Sequence, residues 1–101
     1  MVDVSKKNFN TVKEILAKYI PGLEVRVFGS RVNGRAKPYS DLDIAIIGTK
    51  ELNSMVLIQL KEAFQESDLP FRVDILDWNK LSPEFRDIIA RNHVVIHIQG
   101  V

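Results

Sequence analysis

Apolar side chains return at spacings of three and four between residues 5 and 19, where Phe9, Val12, Leu16 and Tyr19 form one stripe and most of the charged residues fall elsewhere. That period predicts an amphipathic helix, ended by Pro21-Gly22. The period then switches to two: Glu24-Val25-Arg26-Val27-Phe28 alternates and reads as a strand running into Gly29-Ser30. Residues 30 to 36 predict a short helix, and Lys37-Pro38-Tyr39-Ser40 a loop, because the residue before a proline avoids helical backbone. Asp41 to Ile47 follows as a strand whose nearly unbroken apolar run argues for burial on both faces and a central place in a sheet.

A second long helix is predicted over Glu51 to Gln65, with Leu52, Val56, Leu60, Ala63 and Phe64 on one stripe, and Leu69-Pro70 breaks it. Phe71 to Leu76 reads as a third strand. Ser82-Pro83-Glu84 joins a capping hydroxyl, a proline at the first helical position and an acid near the positive end of the dipole. The helix it starts should run to about Asn92, with Val94 to Ile98 as the last strand. The expected class is α/β (α+β), a single domain over residues 1–101 built on one sheet.

Composition narrows the function classes. With 46% hydrophobic and 27% charged residues the chain has the balance of a globular domain, large enough for one core and too small for two. A formal charge of +1 gives no reason to expect strong, sequence-blind nucleic-acid binding. There is no cysteine, which removes disulfides, thiolate metal sites and cysteine nucleophiles. The N-terminal residues lack the apolar run of a signal peptide and no stretch is long enough to span a bilayer, so a cytoplasmic protein with no membrane contact is expected.

The candidate chemistry lies in Gly29-Ser30 and Asp41-Leu42-Asp43. Asp41 and Asp43, two apart on a strand, leave the same face, while Leu42 and Ile44 point into the opposite layer. Two adjacent carboxylates repel each other, and a hard divalent cation relieves that repulsion. Alone, the pair reads equally as two solvated acids at a loop–strand junction. A glycine at a strand end lets backbone amides approach a phosphate, and a hydroxyl with a helix N-terminus adds donors. Alone, Gly-Ser is a common turn. Together, four specified residues at this spacing should recur by chance in so short a chain on the order of once in a thousand. Asp74 is a third acid, mid-strand between Val73 and Ile75, and such a group needs a partner, a metal or an open cleft. Asp77, at the strand end before Trp78, reads instead as the start of a turn. Arg31 follows the notch and divides between a phosphate contact and a surface role; Arg35 and Lys37 read as solvated, and Tyr39 and Trp78 as rim or packing residues. His93 and His97 read as structural.

Gly29-Ser30-Arg31-Val32-Asn33-Gly34, Ser40-Asp41-Leu42-Asp43-Ile44-Ala45-Ile46 and Val73-Asp74-Ile75 closely resemble the minimal nucleotidyltransferases, the smallest members of the DNA polymerase beta-like superfamily. The resemblance covers nearly the whole chain. It implies a mixed sheet with flanking helices, an ATP substrate bound with Mg²⁺ in a two-metal site, and nucleoside monophosphate transfer with release of pyrophosphate. By position it places phosphate at Gly29 and Ser30 and metal at Asp41, Asp43 and Asp74, with Asp74 readying the acceptor hydroxyl. Asn33 departs from the second arginine that many relatives carry.

Stand-alone chains of this family often serve as antitoxins, so the resemblance further implies a protein adenylyltransferase. It would move AMP from ATP to a tyrosine of a HEPN-domain toxin, as in a type VII toxin-antitoxin pair. Competing readings are an antitoxin that blocks its partner by binding alone and a small-molecule nucleotidyltransferase. The second usually needs an added helical domain, so acceptor recognition is expected from a protein partner or a homodimer.

Overall fold

Each strand and long helix anticipated from the periodicities is present, with boundaries moved by caps. In the computed structural model, which describes residues 1–98, the order is α1 (Lys6–Tyr19), β1 (Glu24–Phe28), α2 (Ser30–Asn33), β2 (Leu42–Ile47), α3 (Ser54–Gln65), β3 (Val73–Asp77), a 3-10 turn (Trp78–Lys80), α4 (Pro83–Arg91) and β4 (Val94–His97). Ser5 caps α1 and Ser82 caps α4, each accepting from the amide three residues on. α3 begins at Ser54 rather than at Glu51 because Asn53 accepts from the amides of Met55 and Val56. α2 is shorter than expected because Gly34, at φ 83°, turns the chain out of the helix.

The sheet is mixed, in the order β3-β2-β1-β4. β1 pairs antiparallel with β2 and β4, and β2 pairs parallel with β3. A parallel step needs a crossover, which α3 supplies. The interior place of β2 follows from its apolar run: Leu42, Ile44, Ala45 and Ile46 are all fully buried.

Alternation sorts the two faces. Val25, Val27, Leu42, Ile44, Ile46, Ile75 and Ile96 pack against Val12, Leu16 and Ile20 from the first helix and its end and against Leu60 and Phe64 of α3. Burial of each such aliphatic side chain contributes about 1.5–3 kcal/mol. On the opposite face, Phe28 meets Phe85 of α4 edge to face at 6.1 Å, and the guanidiniums of Arg26 and Arg86 lie 4.7 and 5.4 Å from the Trp78 ring. Ile89 of α4 is fully buried but stands outside the main core cluster. Among the described residues no helix is long and apolar enough to cross a membrane.

Candidate active site

Strand register brings the predicted acids into one row. Phe28 of β1 lies opposite Asp43 of β2, and Asp43 lies opposite Asp74 of β3. Direct neighbours on adjacent strands share a face, so the carboxylates of Asp43 and Asp74 stand side by side. Asp41 leaves the same face two residues earlier, just before β2 begins.

Gly29 closes the row from the β1 side. It has φ 81° and ψ −155°, a conformation reserved for glycine, and a Cβ built there would overlap Oδ2 of Asp43 and lie 3.2 Å from its Cγ. The glycine backbone is therefore pressed against the Asp43 carboxylate. Its carbonyl accepts from the amides of Val32 and Asn33, which opens α2 with Ser30 as its first residue. Gly29, Asp41, Asp43 and Asp74 are thus gathered on one side of the sheet, and Ser30 follows Gly29 as the first residue of α2.

Arg31, divided in the sequence between a phosphate contact and a surface role, is only 6% exposed, and its guanidinium donates from Nε to the carbonyl of Ser40 (2.9 Å), from Nη1 to that of Asp3 (2.8 Å) and from Nη2 to that of Pro38 (3.1 Å). Its planar group also lies 4.3 Å from the centre of the Phe71 ring. Arg31 fastens the loop that delivers Asp41 to the N-terminal segment and to the approach to β3. Arg31→Lys keeps the charge but cannot reproduce the planar fork, so a loss of about 2 kcal/mol is expected in urea unfolding.

Nothing in the sequence marks Arg72 as functional, although period-two alternation puts it on the same face as Asp74. Its Nη2 donates to Oδ2 of Asp41 at 2.9 Å. That bond pushes the guanidinium above its ordinary pKa, with the nearby charges of Asp74 and Asp43 adding to the effect. Asp43 is pushed above the ordinary carboxylate value, first by partial burial and then by the charges of Asp74 and Asp41, against which Arg72 acts.

Among the described residues no three acidic or imidazole groups converge closely enough to form a preformed metal cage, and Asp41 is drawn toward Arg72. The donor set still suits a hard divalent ion. It is all oxygen, Asp43 is crowded by like charge, and Mg²⁺ characteristically takes one or two carboxylates and completes its shell with water and substrate phosphate.

Asp77 is buried and accepts from the amides of Leu52 (2.8 Å) and Asn79 (3.0 Å), which forms the 3-10 turn. Tyr39, Arg35 and Lys37 are exposed, and Trp78 packs against Arg26 and Arg86. Nδ1 of His93 donates to the carbonyl of Ile89 at 3.0 Å, and the side chain of His97 lies outside what is described.

Residues 10–99 match the family described as polymerase beta, nucleotidyltransferase. The chain belongs to the polymerase beta nucleotidyltransferase family. Within that family it is 50% identical over 95 residues to the probable protein adenylyltransferase MntA of Haemophilus influenzae, a span of 94% of this chain and 83% of the relative. Its fold matches a chain of a toxin-antitoxin crystal structure with AMP-PNP at a TM-score of 0.70 and 25% identity, covering 91% of this chain and 73% of that one. It also matches, at a TM-score of 0.65 and 25% identity, a structure of the tri-AMPylated Shewanella oneidensis HEPN toxin in complex with MNT antitoxin, covering 95% and 72%. This nucleotidyltransferase is therefore a homologue of MntA, and its structural neighbours include an MNT antitoxin in complex with a HEPN toxin.

Proposed function

We propose that this nucleotidyltransferase transfers AMP from ATP to a tyrosine hydroxyl of a HEPN-domain toxin and thereby acts as its antitoxin, in the cytoplasm where the pair is made. The observation that carries the reading is the Gly29–Asp43–Asp74 row, a close backbone approach beside two register-paired carboxylates.

Gly29 and Ser30 bind the terminal phosphates through backbone amide and hydroxyl. Asp41, Asp43 and Asp74 would hold magnesium. Bound magnesium neutralises triphosphate charge and stabilises the attacking and leaving oxygens of an in-line displacement. To serve as a ligand Asp41 would have to give up its bond with Arg72. The phenol oxygen forms a bond to the α-phosphorus, the bond from that phosphorus to the bridging oxygen breaks, and pyrophosphate carries the electron pair away. The phenol proton passes to the Asp74 carboxylate, at the acceptor end of the row.

The test is incubation with ATP labelled at the α-phosphate, Mg²⁺ and the HEPN protein encoded beside this chain. Label is expected on a tyrosine of the partner, and it should vanish with Asp41→Asn/Asp43→Asn. Neutralisation of the toxin that survives the double substitution without label would replace the catalytic reading by binding alone.

A further inference from the structure

The features of the site are ordered across the sheet: the phosphate notch ends β1, Asp43 lies on β2 and Asp74 on β3. β3 is an edge strand. An in-line displacement requires the acceptor to enter opposite the leaving pyrophosphate. With the pyrophosphate held at Gly29 and Ser30, the acceptor must arrive over the open edge of β3.

That edge is built to receive a chain. The amide of Leu42 donates to the carbonyl of Arg72 while Leu42 is paired with Val73, so in this parallel ladder the alternate residues Val73 and Ile75 turn their N–H and C=O groups away from β2. Among the described residues neither has a backbone or side-chain partner on that outer side. Along the same edge runs a groove of about 590 Å³, lined by Phe64, Leu69, Phe71 and Ile75 together with Lys61 and Gln65 of α3, and reaching Asp74 of the carboxylate row and Arg72, the partner of Asp41. Groove and site are therefore continuous.

We infer that the acceptor segment docks as an added strand on β3, its tyrosine over Asp74 and its two flanking residues in the groove between β3 and α3. This rests on the tyrosine-adenylylating function proposed above. An added strand alternates its side chains between faces, so the residue beside Asp74 lies on the carboxylate face while its immediate neighbours point into the groove, against Phe64, Leu69, Phe71 and Ile75. Direct cross-strand neighbours have Cβ atoms about 4.5–5.5 Å apart, and the next strand inward is about 4.8 Å further. A serine or threonine hydroxyl would stop at the edge, whereas a phenol is long enough to lean past Asp74 toward Asp43. The groove thus selects an extended segment with apolar residues immediately before and after a tyrosine.

The test uses two synthetic peptides of identical composition, each with one central tyrosine. In one, valines flank the tyrosine and lysines stand two positions away; in the other these are exchanged. The neighbouring HEPN protein serves as a separate acceptor. The first peptide should be adenylylated with a kcat/KM at least about tenfold above the second, the equivalent of about 1.4 kcal/mol of groove contacts. When it binds, hydrogen exchange at the amides of Val73 and Ile75 should slow. Leu69→Lys should raise KM for that peptide with kcat and ATP binding unchanged. Equal use of the two peptides, no use of either while the HEPN protein is labelled, or unaltered exchange at Val73 and Ile75 would each overturn the docking mode while leaving the transferase reading intact. Failure to label the HEPN protein as well would overturn both.

Discussion

Asp43→Asn is expected to abolish AMP transfer, by a factor on the order of a thousand or more, and to yield a protein that melts higher than the parent in magnesium-free buffer. The two effects share one cause. Asp43 stands between Asp74 on the adjacent strand and Asp41 two residues back, partly withdrawn from water, and its carboxyl is held above its ordinary value of 3.8 by that burial and those charges. A carboxyl whose folded-state pKa is raised disfavours folding when it ionises. The penalty is present at neutral pH and disappears as pH falls through the raised value toward the unfolded one. Asn occupies the same volume without the charge, so the gain should be roughly 2–4 °C in Tm at neutral pH, allowing for solvent screening of a half-exposed group. It should shrink in acid. Magnesium should also shrink it, by stabilising the parent alone. Calorimetry of both proteins across pH, with and without Mg²⁺, checks this. A variant that melts lower at neutral pH in the absence of metal would contradict the reading of Asp43 as a crowded ligand.

Gly29→Ala carries the second large effect, a loss of about 3 kcal/mol, or roughly 12–24 °C in Tm for a domain of this size. Two penalties coincide there. The backbone at φ 81° and ψ −155° is unfavourable for any L residue, and the new methyl would overlap the Asp43 carboxylate. Gly34 separates the two contributions. It has φ 83°, but an added Cβ would meet nothing within 4 Å, so Gly34→Ala should lose only about 1 kcal/mol. Combining Gly29→Ala with Asp43→Ala should recover part of the deficit, because the overlap is gone while the backbone strain remains. Denaturant titration of the four proteins gives the coupling energy, and a coupling of zero would show that the glycine is required by its turn rather than by its neighbour.

Much of the site could be read from the chain because its information is local. The period-two alternation places Asp41 and Asp43 on one face and sets Asp74 apart from Val73 and Ile75, and a glycine after Phe28 marks where backbone must come close. The fate of Arg31 was not legible. Its acceptors at Asp3, Pro38 and Ser40 are backbone carbonyls, which every residue offers, so no side-chain pattern announces them. Arg72 carried a weak signal, since alternation put it beside Asp74, but its pairing with Asp41 depends on β2 and β3 being parallel neighbours. The late start of α3 has a simpler origin. Asn53 competes for amides that the apolar stripe alone would have assigned to the helix.

The parallel pairing of β2 with β3 has a consequence for how activity arises along the folding path. Asp43 and Asp74 become neighbours only after α3 has crossed over and β3 has zipped onto β2, a closure over thirty-one residues like that between Asp41 and Arg72. Non-local parallel pairings are among the slower steps of folding small domains. A hairpin of β1 and β2 would already hold the notch and two acids, yet it would lack the acid at the acceptor end and the edge beside it. Docking of β3 and onset of chemistry are the same event, so the rate at which a nascent or refolding chain gains transferase activity is a direct clock for that step.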